Sequence, residues 1–109
     1  MAEVLGTFEQ AVLLAIVRLR DAAYGRAILQ EVEKRLTREV AAGAVHATLE
    51  RLENKGLVRS QLGSGTAIRA GRPRRYYQLE PSGLSALNDA REVMEELWRG
   101  LTWPLKGYV

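Results

Sequence analysis

The sequence predicts a mainly α-helical fold that carries one β-hairpin and ends in a single long helix. Three observations lead to it. Apolar residues recur at three- and four-residue steps in four separate stretches, the mark of helices buried along one face. Between the third and fourth stretches the period shortens to two. There, two β-prone runs, Leu57–Leu62 and Arg74–Leu79, flank the Gly-rich segment GSGTAIRAGRP at residues 63–73. Finally, 109 residues with 47% hydrophobic content suit one small domain with its own core.

The elements follow in order. Thr7 and Gln10 have capping-box spacing, and Phe8, Val12, Ala15, Ile16 and Leu19 then mark a first helix up to Arg20. Leu13, Leu14 and Val17 widen its stripe beyond one face, so it needs cover on two sides, part of it from a second subunit. Asp21-Ala22-Ala23 breaks the pattern. A second helix runs from Tyr24 to Leu36, with Tyr24, Ile28, Val32 and Leu36 inward, and Thr37–Val40 is a short connection. The third helix, Ala42 to Lys55, buries Val45, Leu49 and Leu52, and Gly56 stands where a left-handed residue ends a helix. Gly43, Ala47, Glu50, Arg51 and Asn54 fall on its opposite face.

In the hairpin, Tyr77 and Leu79 share one face, while Tyr76 and Gln78 share the other. A connection as long as residues 63–73 points to mobility or function. Pro81 suits the first turn of the last helix. Leu87, Ala90, Met94, Leu97 and Leu101 then form about two heptads of a/d seam, preceded by Leu84 and flanked by Val93 and Trp98. Trp103-Pro104 stops this helix by Thr102, and the tail LKGYV has no period.

The formal net charge is only +3, but it is unevenly placed. Asn54 through Leu79 holds Lys55, Arg59, Arg69, Arg72, Arg74 and Arg75 and no acidic residue, leaving the remainder of the chain at −3. A basic block on an acidic body suits a polyanionic partner, although the same charges also suit a solvated loop. The chain has no Cys and one His, which excludes thiol catalysis and disulfides and argues against a zinc site. No phosphate-binding loop, dinucleotide fingerprint or nucleophile–base spacing is present. No catalytic residue, metal ligand or cofactor is therefore assigned, and the chain reads as a non-enzyme. The longest apolar run, Ala11–Val17, is seven residues, and the N-terminus lacks a basic signal region, so the reading is a cytoplasmic protein without a membrane partner.

Helix, short connection, helix and basic hairpin is the layout of a winged helix-turn-helix, whose second helix of the pair enters the DNA major groove while the wing reaches the backbone. The third helix begins with a small exposed face of Ala42, Gly43 and Ala47 that admits close approach to base edges, and Arg51 follows for a phosphate or guanine. Arg69, Arg72, Arg74 and Arg75 supply sequence-tolerant attraction to phosphates. The alternative is a winged-helix protein-interaction module that does not bind DNA.

The segments LGTFEQAVLLAIVRL, DAAYG, GAVHATLERLENKGLV and GRPRRYYQLEPSG, with Ala86-Leu87, follow one another in register over residues 5–88. With them the sequence resembles the PadR family of bacterial transcriptional regulators. The resemblance implies residues 1–80 as a winged helix-turn-helix DNA-binding domain and residues 81–109 as a C-terminal dimerisation helix and tail. It further implies a homodimeric repressor of an inverted-repeat operator in double-stranded DNA, relieved by a small, often aromatic effector. In this sequence His46 stands where the family commonly has tyrosine, which puts it near the DNA backbone or, alternatively, beside the core as a neutral flank. Ala41 stands where a capping Ser is frequent and Glu80 where a Thr is usual, both weaker caps. Trp98 is the candidate effector contact, although a tryptophan beside an apolar seam also suits simple interface packing.

Overall fold

The computed structural model describes residues 4–63 and 73–107. Its elements are α1 (Thr7–Leu19), a 3₁₀ turn (Arg20–Ala22), α2 (Gly25–Leu36), α3 (Ala42–Asn54), β1 (Val58–Leu62), β2 (Arg75–Leu79) and α4 (Pro81–Trp98). The architecture is mainly helical with a two-stranded antiparallel hairpin, as the periodicities predict.

Helix α1 starts with Gly6, not Thr7, as its N-cap. The Gly6 N–H donates to Glu9 Oε1 at 3.2 Å, while Gln10 Nε2 donates to the Leu5 carbonyl at 2.9 Å. The capping pair is thus displaced by one residue from the Thr7–Gln10 expectation. A carboxylate three residues into a helix can reach back to the cap amide, and its charge suits the positive end of the helix. The α3 terminus is as predicted. Gly56, at φ +78°, closes a Schellman turn in which Gly56 N–H donates to Glu53 and Leu57 N–H to Leu52.

One core joins α1, α2 and α3. Val12, Leu13 and Ile16 meet Ile28, Val32, Val45, Leu49 and Leu52, and the hairpin adds Val58 and Tyr77. Tyr77 is paired opposite Ser60 in a register that runs from Val58↔Leu79 to Leu62↔Arg75. The Tyr77 N–H also donates to the Ala23 carbonyl, and Tyr24 bridges Tyr76, so the segment before α2 lies along the outer edge of β2.

Helix α4 is anchored at its start. Ser82 Oγ donates to the Gly56 carbonyl at 2.7 Å, and Glu80 N–H donates to the Leu57 carbonyl at 2.9 Å. Gly83 is buried against the same Leu57 carbonyl, where an added Cβ would clash with the oxygen. Glu80 caps α4 without a side-chain bond and instead pairs with Arg59 at 2.8 Å.

The predicted seam divides into three parts. Leu87 and Ala90 pack on the chain's own core, Ala90 being only 5% exposed. Met94 and Leu97 project outward at 51% and 67% exposure. Leu101 lies beyond the helix, which ends at Trp98, before the Thr102 limit and too early to carry Leu101. The correction has a local cause: Arg99 is extended and Gly100 takes φ +83°, so the chain leaves the helical path before the Trp103-Pro104 stop is reached.

Candidate nucleic-acid interface

The short Thr37–Ala41 connection sets α3 beside α2, and its N-terminal half faces outward. Ala42, Gly43, His46 and Ala47 are all exposed, whereas Val45, Thr48 and Leu49 are buried. A Cβ added at Gly43 would meet nothing within 4 Å, so no packing inside the chain requires a glycine there. The space is on the solvent side, where an approaching backbone would use it. Ala41 caps α3 with no side-chain bond, which leaves its first amides facing outward.

His46 is an exposed residue and not a flank of the core. Its Nε2 lies 3.8 Å from Glu50 Oε2, one turn along the same face. These two are the polar tips on an otherwise small surface.

The loop end of the hairpin, where Arg75 pairs with Leu62, brings Arg74 and Arg75 alongside α3. Arg75 donates to Ser60 Oγ at 3.0 Å, and Ser60 Oγ donates to Glu53 Oε2 at 2.8 Å, a relay that ties the strand to α3. Arg74 lies over the Tyr24 ring, 4.1 Å from its centroid, and Tyr24 meets Tyr76 edge-to-face at 5.7 Å. Burial pushes the Tyr77 phenol above its ordinary value, with a smaller push from Glu53, so it stays neutral beneath these charges.

Together these residues enclose an open cavity of about 500 Å³ between α2, α3 and β2. Ala42, His46, Arg74 and Arg75 all line it, which brings four of the sequence-predicted contacts to one place. Tyr24 and Arg26 are polar lining residues that the sequence reading does not name as contacts. Tyr24 was expected in the core; it is half-buried, serves as the N-cap residue of α2 and stacks on the hairpin instead. A basic residue directly after the Tyr24-Gly25 start of a helix was the available signal for Arg26.

Arg51 is placed apart from this cluster. Its Nε lies 3.4 Å from Glu9 Oε2, and its guanidinium also donates to Thr48 Oγ1 at 3.3 Å. Lys55 joins the same carboxylate at 3.1 Å. Burial alone would raise the Glu9 pKa, but the Gly6 amide, Lys55 and Arg51 outweigh it and hold Glu9 below its ordinary value. Arg69 and Arg72 lie outside the described residues.

A second groove, about 380 Å³, runs between α1 and α4 and is lined by Leu14, Val17, Leu84 and Met94 among others. Trp98 is half-buried at the end of α4. Among the described residues no helix is long and apolar enough to cross a membrane, and no cluster of His, Cys, Asp or Glu could hold a metal ion.

Comparisons with known proteins agree with this fold. The family model for PadR-like transcriptional regulators matches residues 13–89. The transcriptional regulator Rv3488 of Mycobacterium tuberculosis is 37% identical over 76 residues, covering 70% of this chain and 66% of that relative, just under two thirds of its length. Among solved structures, a PadR-like transcription factor from Bacteroides fragilis is similar with a TM-score of 0.70 at 29% identity, over 84% of each chain. A PadR-family regulator from Eggerthella lenta gives a TM-score of 0.64 at 28% identity, over 82% of this chain and 75% of that one. The fold is a winged helix, and the chain belongs to the PadR-like family of transcriptional regulators.

Proposed function

We propose that this chain is a sequence-specific repressor that binds an inverted-repeat operator in double-stranded DNA as a homodimer. One observation carries the reading: the exposed start of α3 and the arginines at the loop end of the hairpin open onto a single surface. In that arrangement α3 enters the major groove, with His46 and Glu50 at base or backbone level, while Arg74 and Arg75 hold the flanking phosphates. The membership of a family of transcriptional regulators supports it.

The dimer is supported by apolar surface that the single chain leaves uncovered. Leu14 and Val17 of α1 and Leu84, Met94 and Leu97 of α4 are all exposed. A second α4 laid along these faces would cover both. Trp98, at the far end of α4, would then stack a planar aromatic effector that relieves repression. Quenching of tryptophan fluorescence by such a compound should vanish in Trp98→Ala; unaltered quenching removes this site.

Selection of bound sequences from random duplex DNA tests the main reading. The expected product is a two-fold-symmetric site with half-sites about one helical turn, roughly 34 Å, apart. Arg75→Ala should weaken binding to all duplexes and flatten the dependence on salt by about one unit for the lost phosphate contact. Failure to enrich any sequence, with no shift of duplex DNA at low salt, would sink the proposal and favour a protein partner.

A further inference from the structure

One ridge of α3 runs along its exposed side through Gly43, Ala47, Glu50 and Asn54, at steps of three and four residues. Its first two members carry no more than a methyl group, so Glu50 is the first side chain on it that reaches well ahead of the backbone. The other carboxylate of α3, Glu53, accepts from Ser60 Oγ at 2.8 Å and is turned to the hairpin. Glu50 has no such tie: among the described residues its ion-pair partner is His46 alone, at 3.8 Å. Arg51, next in the chain, is held by Glu9 and Thr48, and Arg75 donates to Ser60. A bare carboxylate thus stands in the middle of the face that meets a polyanion. Phosphate oxygens can only repel it. In the major groove two bases offer it donors, cytosine through the N4 amino group and adenine through N6. Adenine sets its N7 acceptor beside N6, against the second carboxylate oxygen, whereas cytosine has only a C–H there.

We propose that Glu50 is the specificity-determining residue of α3, accepting a hydrogen bond from the N4 amino group of one cytosine in each half-site. The assignment rests on the DNA-binding reading above, with α3 in the major groove. The carboxylate then acts in two directions. It favours one C·G pair, and it lowers affinity for every duplex that presents no amino group at that place.

Selection of bound duplexes by the full chain, by Glu50→Gln and by Glu50→Ala tests this. The parent should enrich one position per half-site at which cytosine is preferred by about tenfold, the scale of a single base contact. Glu50→Gln should shift that position alone to adenine, whose N6 and N7 suit an amide. Glu50→Ala should leave that position indifferent to the base. It should also bind unrelated duplex at least about twofold more tightly than the parent, since a negative charge is gone from the interface. N4-methylcytosine spends its one remaining amino hydrogen on the base pair. Placed at that position, it should weaken the parent about tenfold and leave Glu50→Ala unaffected. Glu50 is exposed, so the three proteins should share one thermal melt, which is checked directly. Cytosine preference retained in Glu50→Ala, preference lost at every position together, or parent binding indifferent to N4-methylation would each overturn the assignment. If the parent selects a site that the variants leave unaltered, the assignment fails while the DNA reading stands. If the parent binds no duplex at all, the DNA reading fails and the assignment with it.

Discussion

Glu9 accepts from three donors at once: the Gly6 amide at the start of α1, Arg51 and Lys55 near the end of α3. It fixes the crossing of the two helices and also withdraws Arg51 and Lys55 from the solvent-facing charge. Replacing it with glutamine should cost about 1 kcal/mol, the scale of a partly exposed charge-assisted cluster, measured by denaturant unfolding. The freed cations should also steepen the salt dependence of DNA binding. An unchanged slope would mean that Arg51 and Lys55 stay directed away from DNA without the carboxylate. The pH dependence follows from the lowered pKa. The Glu9 contribution is complete above its ordinary value of 4.5 and is lost as pH falls below that and through the folded-state value. In Glu9→Gln the loss of stability over that acid window should be smaller than in the parent chain.

At the scale of elements, the junction between α3, β1 and α4 sets where the last helix points. Gly56 turns the chain, Ser82 and Glu80 fasten to the Gly56 and Leu57 carbonyls, and Gly83 allows α4 to lie directly on Leu57. Gly83→Ala must push α4 off that carbonyl, because backbone on one side and helix on the other leave no room to yield. The expected loss is about 1–3 kcal/mol in thermal or chemical unfolding, despite the better helix propensity of alanine. A neutral or stabilising effect would show that the junction can slide. Gly43 gives the contrast. With open space around it, Gly43→Ala should leave stability equal or improved, and its effect should appear in DNA affinity instead.

For the whole molecule, a radius of gyration of 16.2 Å exceeds the roughly 13 Å expected of a compact chain this long. The outer half of α4 and the segment after it lie away from the core: every residue from Arg91 to Leu97 and from Arg99 to Gly107 is exposed. An outer helix with Met94 and Leu97 uncovered is stable when something lies against it, and the matching exposed residues on α1 make a second copy the economical partner. Sedimentation at micromolar concentration should show a dimer, and Met94→Asp together with Leu97→Asp should give a folded monomer with weaker operator binding. A monomer for the parent chain would remove this arrangement. The acidic residues Asp89, Glu92, Glu95 and Glu96 lie on α4, where Arg91 and Arg99 pair with Glu95 and Glu96, while Arg74 and Arg75 lie beside α3.

Element order, the hairpin and the two partly uncovered helices were legible from the sequence, because periodicity and turn chemistry act over a few residues. So were Gly43 and Ala47 as an exposed small face, since helical spacing alone places them opposite Val45, Leu49 and Leu52; Ala42, two turns before Leu49, is exposed because it begins the helix. Other features depended on packing between distant segments. The Glu9 contacts with Arg51 and Lys55 bridge separations of 42 and 46 residues, and no local pattern encodes which charges meet across a helix crossing. The same holds for the inward turn of Ala90 and the outward turn of Met94 within one heptad pattern, which the docking angle of α4 decides. Tyr24 and Arg26 became cavity residues because β2 runs beside the start of α2, a neighbour they acquire only when the chain folds. The sequence by itself determined the helices, the turns and where positive charge accumulates along the chain. Tertiary structure alone decided which charges are neutralised and which remain facing outward, since electrostatic pairing follows distance in space and not position along the chain.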